Sequence, residues 1–197
     1  MIRELVLATR NPHKGQELAA LLAELGVRIR TLAEFPDAPE VIEDGDSCEA
    51  NAIKKAVVIA RHTGIPTVAD DTGLMVEALG GRPGVFAARY AGEHATYEDN
   101  WRKLLQELNG VPRARRKASF MTVAALAHPS GEVRTVQGVL DGLIGEEPSG
   151  SQGFGYDPVF VIPELGKTLA QLTPDEKNRI SHRARALTQL KEVLKSE

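Results

Sequence analysis

Four short stretches carry residue types suited to phosphoryl chemistry. The first is Thr9-Arg10-Asn11-Pro12-His13-Lys14. The apolar run Leu5 to Ala8 before it reads as a strand, and Asn11 with Pro12 reads as the cap and first residue of a helix. A helix N-terminus offers unpaired N–H groups and the positive end of the dipole. A hydroxyl, an amide and a lysine gathered there make a cradle for an anion, phosphate above all. The plainer reading keeps Asn11 as a cap and Lys14 as a solvated lysine. A Walker loop is excluded, because its glycines and Gly-Lys-Ser/Thr ending are absent.

The second stretch is acidic and double: Glu43-Asp44 in a loop, and Asp70-Asp71-Thr72-Gly73 after a short strand. Mg2+ takes carboxylates, phosphate oxygens and waters, so carboxylates from two loops facing a phosphate cradle suit it. Glu43 and Asp71 lie 28 residues apart with a helix between, which lets both loops reach one end of a sheet. The alternative is a turn whose aspartates cap backbone groups. The third stretch, Gly153-Phe154-Gly155-Tyr156-Asp157-Pro158, interleaves aromatics with glycines. Rings there stack on a flat ligand while Asp157 accepts from a ring N–H, unless the aromatics simply plug the core. The fourth joins Lys177 to Ser181-His182-Arg183. On one continuous helix Lys177 and His182 would stand about 140° apart, so a break with Ser181 as a fresh cap is the better reading. That break puts His182 and Arg183 in a first turn, where cations need a nearby anion or acceptor. A charged, solvated helix start is the alternative.

Positioning these groups requires an α/β fold. Residues 2–8 and 27–31 read as strands around a helix ended by Gly26, and 33–46 reads as a long loop. Ser47 caps a second helix ending at Gly64, with Ile53, Ala56, Val57 and Ala60 as its apolar stripe. Thr67 to Ala69 reads as a short strand ending at the aspartate pair. Thr96 with Asp99 forms a capping box for a helix bearing Trp101, Leu104, Leu105 and Leu108. Residues 118–127 and 132–140 form an antiparallel hairpin, so the sheet is mixed. A Gly-rich loop, 145–157, leads to a strand at 159–162, and a helix with Ala184, Leu187, Leu190 and Leu194 closes the chain. With 197 residues, the expectation is one domain over 1–197, bilobed. A net charge of −3 argues against binding nucleic acid, and no apolar run is long enough for a membrane span. Cys48 is the only cysteine, which excludes an intrachain disulfide and a cysteine zinc cluster. Together with the absence of a signal-like N-terminus, this points to the cytoplasm. The run Arg113, Arg115, Arg116 and Lys117 lacks interleaved aromatics and reads as a solvated loop. Cys48 and Trp101 read as packing residues.

In this order and spacing, the motifs resemble the non-standard purine nucleoside triphosphate pyrophosphatases, also called inosine triphosphate pyrophosphatases. The likeness runs from Leu5 to about Leu190. It rests on Thr9, Asn11 and Lys14; on Glu43 and Gly45; and on Asn51, Ala52, Lys54 and Ala56. It continues through Ala69 to Leu74, Gly81 to Val85, Ala88-Arg89-Tyr90, Phe154 to Asp157, and Lys177 with Ser181 to Arg183. This chain departs from the family pattern at Thr72, where Ser is usual, at Cys48, where an aromatic is usual, and at Ala50, where Glu is usual. The resemblance implies an elongated mixed sheet flanked by helices, two lobes with an active-site cleft between them, and a cytoplasmic homodimer. It also implies hydrolysis of ITP, dITP or XTP to the monophosphate and pyrophosphate. Lys14, Asn11 and Lys177 would then orient the triphosphate, aided by Thr9, Arg10, Pro12, His13 and Thr72. Glu43 and Asp71 would hold Mg2+, with Asp71 as the base. Phe154, Gly155, Tyr156, Asp157, His182 and Arg183 would receive the purine. A donor such as Arg183 or a backbone N–H would face the 6-oxo group, and Asp157 would face N1–H. Two other functions remain open at this stage: a pyrophosphatase for modified pyrimidine nucleotides, and a purine-nucleotide binder that does not hydrolyse. The second has no need of two metal-placed carboxylates.

Overall fold

The computed structural model describes residues 2–196. Strand β1 (Glu4–Leu7) leads through Asn11 into α1 (Pro12–Leu22), where the Asn11 carboxamide accepts from the amides of His13 and Lys14. After β2 (Arg28–Thr31) and the long loop come α2 (Cys48–Thr63), capped by Ser47, and β3 (Thr67–Val76). The short β4 (Pro83–Gly84) precedes α3 (Tyr97–Glu107), which opens on the Thr96/Asp99 capping box. Strands β5 (Lys117–Ala127) and β6 (Val133–Ile144) follow, then β7 (Phe160–Ile162) and β8 (Lys167–Thr168). Two helices end the chain, α4 (Pro174–Ile180) and α5 (His182–Lys195), with Ser181 extended between them. The break expected at Ser181 is therefore present.

The sheet runs β2-β1-β3-β5-β6-β7-β8, with β4 on β3. Pairing is parallel for β1–β2 and β1–β3 and antiparallel for β3–β4, β6–β7 and β7–β8, so the sheet is mixed. The chain divides into two units. One comprises the residues up to Asp71, Thr122–Gly138 and His182 onward; the other comprises Thr72–Met121 and Val139–Ser181. In the first, Leu5 and Leu7 of β1 pack with Leu18 and Leu22 of α1 and with Leu187 and Leu190 of α5. In the second, Leu104 and Leu108 at the end of α3 pack with Phe120, Tyr156 and Phe160.

Two sequence expectations need correction. The strand expected over Thr67 to Ala69 runs instead for ten residues, so Asp70 and Asp71 lie inside β3 rather than at its carboxyl end. They are 1% and 5% exposed, and an extended backbone sends their side chains to opposite faces. The buried face of α2 is also rotated from the expected stripe. It consists of Cys48, Asn51, Ala52, Lys55, Ala56, Ile59 and Ala60, while Ile53 and Val57 are only partly buried. The polar Asn51 and Lys55 therefore face inward, one helical turn apart.

Candidate active site

In the first unit, charged side chains from three helices gather on the aspartate pair of β3. Asp70 Oδ2 accepts from Arg183 Nε at 3.0 Å and lies 3.4 Å from Lys14 Nζ. Its carbonyl oxygen accepts from Lys55 Nζ at 2.7 Å. Burial alone would push the Asp70 carboxyl upward, but Lys14, Arg183 and Lys55 outweigh it and hold the group well below the usual carboxylate range. Its other oxygen, Oδ1, is buried and accepts no hydrogen bond.

Asp71 has the opposite balance. Its Oδ2 accepts from Asn51 Nδ2 at 3.1 Å, and its Oδ1 lies 3.9 Å from Lys55 Nζ. Burial raises its pKa, and the charge of Glu43 raises it further, against the pull of Lys55, Lys14 and Asn51. A carboxylate held this way has increased proton affinity, the property a general base requires. Lys55 Nζ also donates to Glu43 Oε1 at 2.8 Å, so carboxylate oxygens from a loop and a strand meet on one cation. Burial pushes this ammonium down, but Asp70, Asp71 and Glu43 together keep it charged. Two residues after Glu43, the N–H of Gly45 donates to Asn51 Oδ1 at 2.8 Å; a Cβ there would stand 2.6 Å from that oxygen. Cys48 is buried beside Asp71, its thiol pushed up to about 12 by burial and by that carboxylate.

This set fits Mg2+ on its own chemistry. Among the described residues no group of three His, Cys, Asp or Glu side chains stands ready to hold a metal. Mg2+ rarely uses such a cage, taking one or two carboxylates and completing its shell with water and phosphate oxygens. Glu43 and Asp71 supply that number, and they already converge on a cation.

The N-terminus of α1 lies in the same unit. Thr9 Oγ1 accepts from the Asn11 amide at 3.2 Å, and Arg10 donates to the Ala38 carbonyl at 2.9 Å, tying down the long loop. Pro12 opens α1, and the His13 side chain is exposed. Lys14 is half-buried and turned toward Asp70.

The second unit carries the aromatic loop. Asp157 Oδ2 accepts from the Phe154 amide at 2.8 Å and from Lys177 Nζ at 2.6 Å. The Lys177 ammonium also stands 4.7 Å from the Phe154 ring centroid. Gly153 has a φ of +73°, and a Cβ on it would meet Asp157 Oδ2 at 2.1 Å, so only glycine lets the loop close on that carboxylate. Gly155 also takes a positive φ. Thr72 is partly buried on β3.

Three of the side chains expected at the purine are buried. Tyr156 is 5% exposed, packs in the core and donates its hydroxyl to the Ala87 carbonyl at 2.8 Å, so its ring holds the loop from beneath. Phe154 is only partly buried. Arg183 is 1% exposed, with Nε on Asp70 and Nη1 on Glu17; these carboxylates are the anions its first-turn position requires. His182 is buried with Nδ1 2.6 Å from Thr122 Oγ1. Sequence reasoning missed Lys55 altogether and named Lys54, which is exposed and paired with Asp44 at 2.6 Å. Its position four residues after Asn51 was the available signal.

The model of the Ham1 family matches residues 5–193. A dITP/XTP pyrophosphatase of Geobacillus kaustophilus is 52% identical over 97% of this chain and 94% of its own. One of Bacillus subtilis is 44% identical over 100% and 99%. A HAM1 protein from Coxiella burnetii superposes with a TM-score of 0.90 at 42% identity, covering 100% of both chains.

Proposed function

We propose, on the premise that this chain belongs to the Ham1 family, that it hydrolyses dITP, XTP and ITP to the monophosphate and pyrophosphate. The observation that carries the reading is the meeting of Glu43, Asp70 and Asp71 around Lys55 in the unit that also holds Lys14 and the N-terminus of α1. The names of the relatives support the substrate class.

In this reading the α1 amides and Lys14 bind the phosphates, Lys14 exchanging part of its attraction to Asp70 for phosphate oxygens. Asp71 Oδ1 takes the proton of the water that attacks the α-phosphorus; the bond to the bridging oxygen breaks and pyrophosphate leaves. Lys55 and Asn51 hold the Asp71 carboxylate in place. Glu43 and Asp71 are the residues that would hold Mg2+. When bound, the ion supplies positive charge to offset that developing on phosphoryl oxygens. Phe154 stacks on the base, Asp157 accepts from N1–H, and a 6-oxo group meets a donor that a 6-amino group cannot match. The resemblance further supports a homodimer acting in the cytoplasm. Among the described residues no helix is long and apolar enough to cross a membrane.

The test is product analysis with ITP, XTP, dITP, ATP, GTP and modified pyrimidine triphosphates, with and without Mg2+ or chelator. Pyrophosphate from the first three, lost in chelator, is expected. Orthophosphate as first product, full activity in chelator, or a preference for pyrimidines would overturn the reading.

A further inference from the structure

Among the described residues, Tyr97 is one of four large hydrophobic side chains left exposed, at 40%. It opens α3, where the reciprocal Thr96/Asp99 bonds fix its backbone. Its ring centroid lies 5.9 Å from that of Phe154, with the planes tilted by 43°. The second unit holds another aromatic pair for comparison, Phe120 and Phe160, at 4.6 Å and a similar tilt of 39°. That pair is 5% and 0% exposed and packs the core. Tyr97 and Phe154 make the same kind of contact but keep ring surface in water, beside the buried Lys177–Asp157 ion pair. Wet rings next to fixed charges suit a flat heterocycle that has apolar faces and polar edges.

We propose that Tyr97 is a further base-binding residue, forming with Phe154 a two-ring platform for the nucleobase. The proposal rests on the reading that the Phe154 loop receives the base. Phe154 is held beside Asp157 and Lys177, and Tyr97 stands at the start of α3. Together they fix how the base lies before its edge is read.

Trp101, the only tryptophan, sits one turn along α3 from Tyr97 and gives a fluorescence signal for binding that is independent of turnover. Titrations use ITP and, as a probe lacking a base, inorganic tripolyphosphate. Tyr97→Ala is expected to raise the ITP Kd about tenfold, the size of a lost stacking contact, and to leave the tripolyphosphate Kd unchanged. Tyr97→Phe is expected to bind both as the parent does. Unchanged ITP affinity in Tyr97→Ala overturns the proposal. So does equal weakening of both ligands, which marks an effect through the fold, and so does failure of Tyr97→Phe, which marks a role for the hydroxyl alone. Phe154→Ala separates the two levels. If it leaves ITP affinity intact, the base does not sit on this loop and the underlying reading fails as well; if it weakens ITP while Tyr97→Ala does not, only Tyr97 is misassigned.

Discussion

Asp70 and Asp71 are adjacent on β3, yet their surroundings push their proton affinities in opposite directions, and this gives two mutants with opposite signatures. Asp71→Asn removes the proposed base and should cut kcat by at least ~10²-fold. It also removes a charge that burial and Glu43 disfavour, while Asn51 keeps an oxygen to bond, so Tm should rise. Asp70→Asn leaves Arg183 and Lys14 without their shared anion inside the protein. Stripping one partner from a buried pair costs about 3–5 kcal/mol, so Tm should drop by roughly 10 °C. Thermal melts with steady-state kinetics check both; a Tm gain in Asp70→Asn would overturn the assignment. The acid limb has a definite sign. A carboxyl held below its ordinary value of 3.8 contributes its full stability above that pH and loses it as pH falls toward the depressed native value. The parent should therefore lose Tm below about pH 4, and Asp70→Asn should show a shallower slope there. Asp71 runs the other way, since protonation through its raised pKa relieves the native state. That the two side chains point to opposite faces follows from an extended Asp-Asp pair, but their opposite proton affinities were not legible in the Asp-Asp-Thr-Gly string, because the cations that allow two aspartates inside a strand come from elsewhere. Arg183 lies 113 residues from Asp70.

Element by element, what the sequence revealed was what local chemistry decides. Asn11, Ser47 and Thr96 act as caps because a side-chain oxygen and a nearby amide are enough to start a helix. The break at Ser181 followed from helical angles alone. The face of α2 did not, because a stripe chosen by hydrophobicity passes over an inward lysine. With Asn51 and Lys55 on one face and Lys54 turned outward, the two lysines should behave very differently. Lys55→Met should lower kcat/KM by about 10²-fold, as expected when a buried charge that orients the base is lost. Lys54→Met gives up only an exposed pair with Asp44 and should stay within about twofold of the parent. If Lys54→Met is the more damaging in steady-state assays, the face of α2 is assigned wrongly. The Phe154 loop teaches the same lesson: alternating aromatics mark the loop, but only packing shows that Tyr156 is buried beneath it while Phe154 is left partly exposed.

For the whole molecule, substrate choice can be read as stability, without turnover. A ligand that binds only the native state adds RT ln(1 + [L]/Kd), about 2.7 kcal/mol at one hundred times Kd. In a chain of this length that is a Tm gain of about 5–10 °C. Asp71→Asn is the form to use, since it retains Lys14, Lys177, Phe154 and Asp157 but should not consume its ligand. ITP and XTP should raise its Tm clearly more than ATP at equal concentration, because a 6-amino base would leave the proposed acceptor and donor unmatched. Equal shifts would mean that the base edge is not read in binding. The same assay resolves Arg183, whose Nε and Nη1 face Asp70 and Glu17. Adding Arg183→Lys to Asp71→Asn keeps the positive charge for those carboxylates but removes the planar fork. If the ITP-over-ATP gap narrows, the guanidinium also reads the 6-position. A gap of unchanged size, with a lower Tm for the free protein, would confine Arg183 to holding Asp70 and leave the donor to be found among backbone N–H groups.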